Sequence, residues 1–224
     1  MATVDTRIVG QTRSTKMFYA VIRMLVVFIC RTLLRLRVVG VQNIPKTGAF
    51  IFAPTHRSTI DIPVASAATR RRMRFMGKDS IWKFALIGKA MSALGAFPVT
   101  RGSADLEALK RCIAVLNSGE PLVMFPEGTR HEGPEVMPLF DGAAYVAFKV
   151  GVPIVPAGIA GTEDVMRSGS KSIRFKRCAM VIGEPITVTI PESGRATREQ
   201  VSELTVLLQS KLQLVLDEAN RLIN

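Results

Sequence analysis

Short apolar runs and segments with helical spacing follow one another along the chain of 224 residues. The apolar runs predict strands over residues 37–41, 49–53, 73–77, 96–99, 122–125, 154–159, 173–181 and 186–190. Helical spacing of apolar residues predicts helices over residues 59–68, 80–93, 103–117, 142–150 and 197–222. The polar residues 161–164 and 191–194 are predicted to form surface loops. Apolar strands that alternate with helices predict an α/β fold, with a mixed, largely parallel sheet covered by helices.

An apolar segment near the N-terminus, residues 17–36, has roughly the length of a membrane-spanning helix. Three arginines interrupt it, and an arginine at a bilayer centre costs about 2.5–3.5 kcal/mol. On a helix, the basic residues of this region fall within an arc of about 120°, and they are Arg13, Lys16, Arg23, Arg31 and Arg35. This pattern favours an amphipathic helix in the membrane interface, with the basic residues towards lipid phosphates. A true span and a helix packed on the protein's own core are the alternatives.

The domain organisation follows from this segment. We expect residues 1–36 to be a membrane-associating segment and residues 37–224 to form a single domain, because no linker-like stretch divides the rest of the chain. No small-residue cleavage site follows the apolar run, which argues against a signal peptide.

The net charge of the chain is +12, and the excess of basic residues lies at its N-terminal end. Residues 1–89 carry 16 basic and 3 acidic side chains, whereas residues 90–224 carry 14 basic and 15 acidic ones. Such a region favours an anionic partner, which could be nucleic acid, a membrane surface or a phosphorylated substrate. We expect no nucleic acid, because aromatic residues make up only 6% of the chain and no recognition motif accompanies the charge. The arginine run at residues 70–74 is expected to face anionic lipid or an acidic acyl donor, with a solvated surface cluster as the alternative.

Several common types of site have no support in the sequence. The three cysteines form no CxxC pair, which argues against a disulfide scaffold or a cysteine-based zinc site and favours a reducing compartment. No serine has the G-x-S-x-G context of a nucleophile elbow. Glycine-rich nucleotide loops of the GxGxxG or Walker type are also absent from the sequence.

His56 is a candidate general base, because it follows an apolar strand and a helix is predicted to begin just after it. Asp61 lies five positions later and could hold the imidazole in one tautomer. Residues five apart on a regular helix do not share a face, so this contact requires His56 in the turn before the helix and Asp61 in its first turns. The alternative is a surface histidine beside an acid that complements the helix dipole. Ser58 is interpreted as a cap or turn residue, and His131 as a spectator.

Two further strand ends carry groups suited to phosphate. The segment Phe125-Pro126-Glu127-Gly128-Thr129-Arg130 presents a carboxylate, a hydroxyl and a guanidinium at a glycine-bearing turn. Arginine offers planar, bidentate donors to phosphate, and Arg101 likewise follows a predicted strand. Taken singly, the first segment could be an ordinary turn with an exposed ion pair, and Arg101 a solvated surface residue.

Together these segments resemble the lysophosphatidic acid acyltransferase family. HRSTID matches the family's H-x4-D motif at His56 and Asp61, and GAFPVTR resembles its second block at Phe97 and Arg101. FPEGTR matches the third block, and VPIVP at residues 152–156 is similar to the fourth, so the resemblance covers about residues 40–160. The chain departs from the pattern at His131, where the family often has serine after the arginine of the third block.

The resemblance implies a mechanism and a set of site residues. His56, oriented by Asp61, would deprotonate a glycerol hydroxyl of the acceptor, which attacks an acyl thioester with no acyl-enzyme and no metal. Arg101 and Arg130 would hold the acceptor's phosphate, Glu127 would orient its glycerol, and Lys78 resembles a family lysine near the phosphate. Gly128 and Thr129 complete the expected substrate-binding set.

The resemblance also implies the partners and the place of action. The donor would be acyl-CoA or acyl carrier protein, with no other cofactor. The acceptor would be lysophosphatidate or glycerol 3-phosphate, with lysophosphatidate favoured and phosphatidic acid as its product. The expected location is the cell membrane, peripheral or monotopic on the cytoplasmic face.

Overall fold

The computed structural model describes residues 12–99, 106–167, 169–170 and 172–224. Its helices are α1 (Arg13–Leu33), α2 (Asp61–Ala65), α3 (Ala85–Ala93), α4 (Leu106–Asn117), α5 (Gly142–Val150), α6 (Thr162–Val165) and α7 (Arg198–Ile223). Its strands are β1 (Arg37–Val39), β2 (Ile51–Pro54), β3 (Arg74–Lys78), β4 (Ala96–Val99), β5 (Leu122–Val123), β6 (Ile154–Ala160) and β7 (Ala179–Ile182). Short 3-10 turns lie at Val41–Asn43 and Asp79–Lys83.

The strands form one sheet in the order β1-β7-β6-β2-β5-β3-β4. Five neighbouring strands are mutually parallel: β6, β2, β5, β3 and β4. Strand β7 pairs antiparallel with β6, and β1 pairs parallel with β7. The predicted α/β fold with a mixed, largely parallel sheet is therefore confirmed.

Helices cover both faces of the sheet because successive strand residues point to opposite sides. Ile51 and Ala53 of β2 pack with α4, α5 and α7, while Phe52 of β2 and the preceding Phe50 pack with α1 and α2. Helix α7 packs directly on the sheet at Gly158, where a side chain would collide with the backbone of Val215. This double cover explains why the central strands are apolar at every position.

Four predicted elements differ from the observed ones. The strand predicted over 173–181 is regular only over Ala179–Ile182, because only those residues have neighbouring strands, β1 and β6. The strand predicted over 186–190 is reduced to a single bridge between Ile186 and Ile154. An extended residue, Phe84, divides the helix predicted over 80–93 into a 3-10 turn and α3. The surface loop predicted over 161–164 is instead the start of α6, with Thr162 fully buried. The start of the helix predicted over 103–117 lies outside the described residues, and α4 is described from Leu106.

Helix α1 has one face against the protein and another that is exposed. Tyr19 and Cys30 face the protein, and α1 contacts α2 and α3. The outward face exposes eight large apolar side chains, which are Met17, Phe18, Val21, Met24, Leu25, Phe28, Ile29 and Leu33. Arg23 differs from the predicted lipid-facing role, because its Nε donates a hydrogen bond of 2.9 Å to the carbonyl of Ser66. Within the described residues, no helix has the length and apolar character needed to cross a membrane.

The arginine run at residues 70–74 is mostly engaged within the protein, which corrects its predicted role. Arg71 donates to the carbonyls of Pro45 and Gly48 and lies over the Phe50 ring. Arg72 and Arg74 pair with Glu120 at 2.8 and 2.6 Å. Burial alone would raise the pKa of Glu120, but the two guanidiniums outweigh it and hold that pKa below its ordinary value. These arginines stabilise the edge of the sheet where β3 begins.

Candidate active site

Two predicted site residues, His56 and Glu127, lie at the edge of the sheet where the parallel strands end. His56 follows β2, Glu127 follows β5 and Thr162 follows β6, and these three strands are adjacent and parallel. Because the carboxyl ends of parallel strands share one edge, the loops after them meet there. Residues distant in the sequence therefore reach hydrogen-bonding distance of His56.

His56 and Asp61 form a buried pair. The Nδ1 atom of His56 lies 2.9 Å from Oδ2 of Asp61, and Asp61 is fully buried. Since an ionised carboxylate only accepts hydrogen bonds, this contact places the proton on Nδ1 and the lone pair on Nε2. The imidazole also stacks on the Phe125 ring, with the ring centroids 4.0 Å apart. In its neutral form the histidine thus presents a basic nitrogen, Nε2, in a fixed orientation.

The backbone geometry of this pair is the one that its spacing requires. Helix α2 begins at Asp61, and His56 lies in the turn that precedes it. The turn also aims the backbone N–H groups of Arg57 and Ser58 at Asp61 Oδ2, at 2.6 and 2.7 Å. Ser58 acts as a turn residue, as expected, and its hydroxyl donates to the carbonyl of Met166 at 2.6 Å.

Thr162 is a member of the site that the sequence did not reveal. Its hydroxyl donates a hydrogen bond of 2.5 Å to Oδ1 of Asp61, and the side chain is fully buried. Asp61 therefore accepts bonds from four groups: one ring nitrogen, two backbone amides and one hydroxyl. Such a set of donors compensates a buried negative charge. The only feature of the sequence that pointed to Thr162 is its position as a polar residue just after an apolar strand. Because residues 161–164 are polar as a group, they were predicted to form a surface loop instead.

Glu127 belongs to a second buried pair, with Arg57. The Arg57 Nη1 donates to Oε2 of Glu127 at 2.7 Å, and both residues are only 1% exposed. The other carboxylate oxygen accepts from the backbone N–H of His56 at 3.0 Å. On the opposite side, the backbone N–H of His131 donates to the carbonyl of His56 at 3.0 Å. The loop after β5 thus holds the backbone of His56 from both sides.

This geometry gives Glu127 a structural task, because each of its oxygens accepts a hydrogen bond from the protein. Its expected role of orienting the acceptor's glycerol stays a prediction. Arg57 was not singled out from the sequence, because an arginine next to a candidate histidine carries no signal of burial. The side chain of His131 has no part in these contacts; its backbone does.

The candidate phosphate-binding residues are more open. The Nη1 atom of Arg130 donates to the Thr59 hydroxyl at 2.8 Å, so this guanidinium lies beside the loop that carries His56. Gly128 and Thr129 are exposed, and Gly128 has φ +70° with the Phe140 ring against it, a position that a side chain would not fit. Lys78 is exposed at the end of β3, opposite Val99 of β4. Arg101 lies outside the described residues.

Glu163 adds an acidic group next to the pair. Burial raises its pKa, and the negative charge of Asp61 raises it further. Its Oε2 is buried and has no hydrogen-bond partner among the described residues. Within the same described ranges, no three acidic, histidine or cysteine side chains group in a way that could hold a metal ion. The site therefore combines a histidine that can act as a base, a buried Asp61 whose negative charge is compensated by hydrogen bonds, and the guanidinium of Arg130 beside the loop of His56.

An apolar cavity of about 210 Å³ lies beside the site. Ile62 and Pro63, which directly follow Asp61, line it together with residues of α1, α3 and β4, and its surface is almost entirely apolar.

A family model described as Acyltransferase matches residues 35–160 of this chain. The chain is 33% identical over 137 residues to the chloroplastic 1-acyl-sn-glycerol-3-phosphate acyltransferase BAT2 of Brassica napus, a match that covers 60% of this chain and 40% of that protein. It is 30% identical over 151 residues to the 1-acyl-sn-glycerol-3-phosphate acyltransferase of Bacillus subtilis (strain 168), covering 67% of this chain and 73% of that protein. The chain spans less than half the length of the chloroplastic relatives that it matches.

The fold is also similar to a solved structure, that of the 1-acyl-sn-glycerophosphate (LPA) acyltransferase PlsC from Thermotoga maritima. The TM-score is 0.76 at 23% identity, and the match covers 93% of this chain and 83% of that one. At this identity the likeness establishes the fold. The family assignment rests on the matched residues 35–160, which contain the buried histidine–aspartate pair and the loop that holds it. The chain therefore belongs to the acyltransferase family.

Proposed function

We propose that this protein transfers a fatty acyl group from a thioester to a free hydroxyl of lysophosphatidate, which yields phosphatidic acid. The observation that carries the proposal is the buried pair His56–Asp61, with Nδ1 on the carboxylate and Nε2 left to act as a base. The matched relatives are named 1-acyl-sn-glycerol-3-phosphate acyltransferases, which supports this choice of acceptor.

The reaction uses the two states of the imidazole. Nε2 of His56 takes the proton of the acceptor hydroxyl as that oxygen bonds to the thioester carbonyl carbon. The buried carboxylate of Asp61 stabilises the imidazolium that forms. The tetrahedral intermediate then breaks its carbon–sulfur bond, and the leaving thiolate takes the proton from Nε2. His56 returns to its neutral state, so no covalent enzyme intermediate and no metal enter the cycle.

The remaining residues would bind the two substrates. Arg130 lies beside the loop of His56 and would bind the acceptor's phosphate, with Arg101 and Lys78 as the other predicted contacts. The apolar cavity next to Asp61 would take an acyl chain. The donor is an acyl thioester of coenzyme A or of acyl carrier protein.

The proposed location is the cytoplasmic face of the cell membrane, where α1 would lie in the interface. The outward apolar face of α1, its exposed Arg31 and the exposed Arg35 just beyond its C-terminus support this arrangement.

The test measures free thiol with acyl-CoA and one of three acceptors: lysophosphatidate, glycerol 3-phosphate or monoacylglycerol. We expect thiol release that depends on the acceptor and is fastest with lysophosphatidate. Monoacylglycerol, which lacks only the phosphate, should react far more slowly. Thiol release at the same rate without any acceptor would mean thioester hydrolysis and would contradict the proposal. Repeating the assay with acyl carrier protein decides between the two donors.

A further inference from the structure

The segment 83–89 exposes apolar side chains without a partner in the described part of the chain. Leu86 is 84% exposed and Phe84 is 66% exposed, and Ile87 is half exposed beside them. Exposed lysines, Lys83 and Lys89, flank the three apolar residues. Three large apolar side chains in five positions, between two cations, are typical of a contact with a membrane interface.

The segment is held in place by contacts of Trp82 on its inner side. The Trp82 ring packs against Gly77 and Gly88, at positions where any side chain would collide with the indole. Its Nε1 donates to the Ser92 hydroxyl at 2.9 Å, and the backbone N–H of Gly88 donates to the carbonyl of Phe84 at 2.8 Å. Trp82 therefore occupies the inner side of the segment, and Phe84 and Leu86 are left on its outer side.

The position of the segment connects it with both the site and α1. It follows the end of β3, and this end lies at the same edge of the sheet as the loop of His56. Helices α1 and α3 are in contact, and Val26 of α1 and Met91 of α3 line the same apolar cavity. Helix α3, which carries Leu86 and Ile87, therefore neighbours α1 and begins near the catalytic edge.

We propose that the segment 83–89 is a second membrane contact, which inserts Phe84, Leu86 and Ile87 into an anionic lipid surface next to α1. Lys83 and Lys89 contact the lipid phosphates at the headgroup level. Anionic lipid is the occupant that fits, because cations flank the apolar residues and residues 1–89 carry 16 basic against 3 acidic side chains. The inference rests on the proposed membrane association, and it places the membrane at the edge where the acceptor and the product enter and leave.

The chain has one tryptophan, and Trp82 stands directly beside the segment. The test therefore uses vesicles of phosphatidylglycerol and phosphatidylcholine in which part of the phosphatidylcholine carries brominated acyl chains. Bound protein should show Trp82 fluorescence that these chains quench. The bromines are placed near the headgroup end of the acyl chains, where they come within range of Trp82 on the inner side of an inserted segment. Vesicles bound to the protein without any quenching of Trp82 would then overturn the proposal.

Substitutions give a second, independent measurement. Loss of one fully inserted Leu or Phe should weaken vesicle partition by about tenfold or more, so Leu86→Ser and Phe84→Ser should each show this loss. The matched controls are Leu214→Ser and Val206→Ser, which change apolar residues of α7 that are 62% and 65% exposed and should leave partition unchanged. Equal partition of Leu86→Ser and Leu214→Ser would contradict the proposal.

Two further results separate this inference from its rivals. If Leu86→Ser abolishes self-association of the protein and leaves vesicle partition unchanged, the segment is an interface between copies of this chain and the proposal fails. The thiol assay on the wild-type protein decides the proposed reaction separately. If the wild-type enzyme is active and Leu86→Ser binds vesicles as the wild type does, the proposed reaction stands and the proposed membrane contact is wrong.

Discussion

Replacing Glu127 by glutamine tests whether the geometry around His56 depends on a buried ion pair. Glu127→Gln keeps the shape and leaves an oxygen for the backbone N–H of His56, but it removes the charge opposite Arg57. In the wild type, Nη1 of Arg57 lies 2.7 Å from Oε2, and both side chains are excluded from solvent. Breaking a buried pair from one side costs about 3–5 kcal/mol, because the other charge remains buried.

The size of this effect makes the experiment decisive. The free energy of unfolding of a domain is about 5–15 kcal/mol, so Glu127→Gln should lower it by a large share. The assay is urea unfolding followed by circular dichroism, with the slope of the transition checked against the wild type. The control is Glu107→Gln, which breaks the exposed pair with Lys110 and should change stability by less than about 0.5 kcal/mol.

The pair should also be coupled. The double variant Arg57→Met with Glu127→Leu should be more stable than either single variant, because no charge is left buried. The reasoning is refuted if Glu127→Gln unfolds like the wild type and raises only the KM for the acceptor. Glu127 would then contact substrate, as the sequence resemblance implies.

Other parts of the site give three more predictions. Thr162→Val leaves Oδ1 of Asp61 without its hydroxyl donor and should cost about 1.5–3 kcal/mol of stability and lower kcat, whereas Thr162→Ser should retain most of both; equal losses in the two variants would exclude a role for the hydroxyl. The folded protein holds the proton of Glu163 to a higher pH than the unfolded chain does, because its pKa is raised from 4.5, so Glu163 weakens the fold as pH rises through this raised pKa. Urea unfolding at several pH values should therefore show Glu163→Gln gaining stability over the wild type as the pH rises above 4.5, with no gain at lower pH; a constant difference would contradict the assignment. Arg130→Ala should raise the KM for lysophosphatidate and leave the slow rate with monoacylglycerol unchanged, and an equal effect on both acceptors would argue against a phosphate contact.

The sequence was sufficient for the parts of the site that are local. The spacing of His56 and Asp61 requires a turn followed by a helix start, and the structure has that arrangement. Thr162 and Arg57 could not be found in this way. Their partners lie 101 and 70 positions away, and only the order of β2, β5 and β6 in the sheet brings them together.

The same distinction applies to the fold. An apolar run such as β6 shows that a strand is covered by helices on both faces of the sheet. The sequence does not show which strands are neighbours, and for this reason the strand predicted over 173–181 is longer than the observed one. The arginine run at residues 70–74 shows the limit for charge. Its sequence favours an external anion, whereas Glu120 and backbone carbonyls supply the partners of Arg71, Arg72 and Arg74 within the fold.

The central claim is that Nε2 of His56 removes the acceptor's proton, and the chain offers an internal control for it because it has only two histidines. His56→Ala and His131→Ala should be compared in the lysophosphatidate-dependent release of thiol from acyl-CoA, after both are shown to be folded. We predict a loss of about 10²–10⁴-fold for His56→Ala, the range typical of a general base, and a rate near that of the wild type for His131→Ala. Full thiol release by a folded His56→Ala protein would contradict the account.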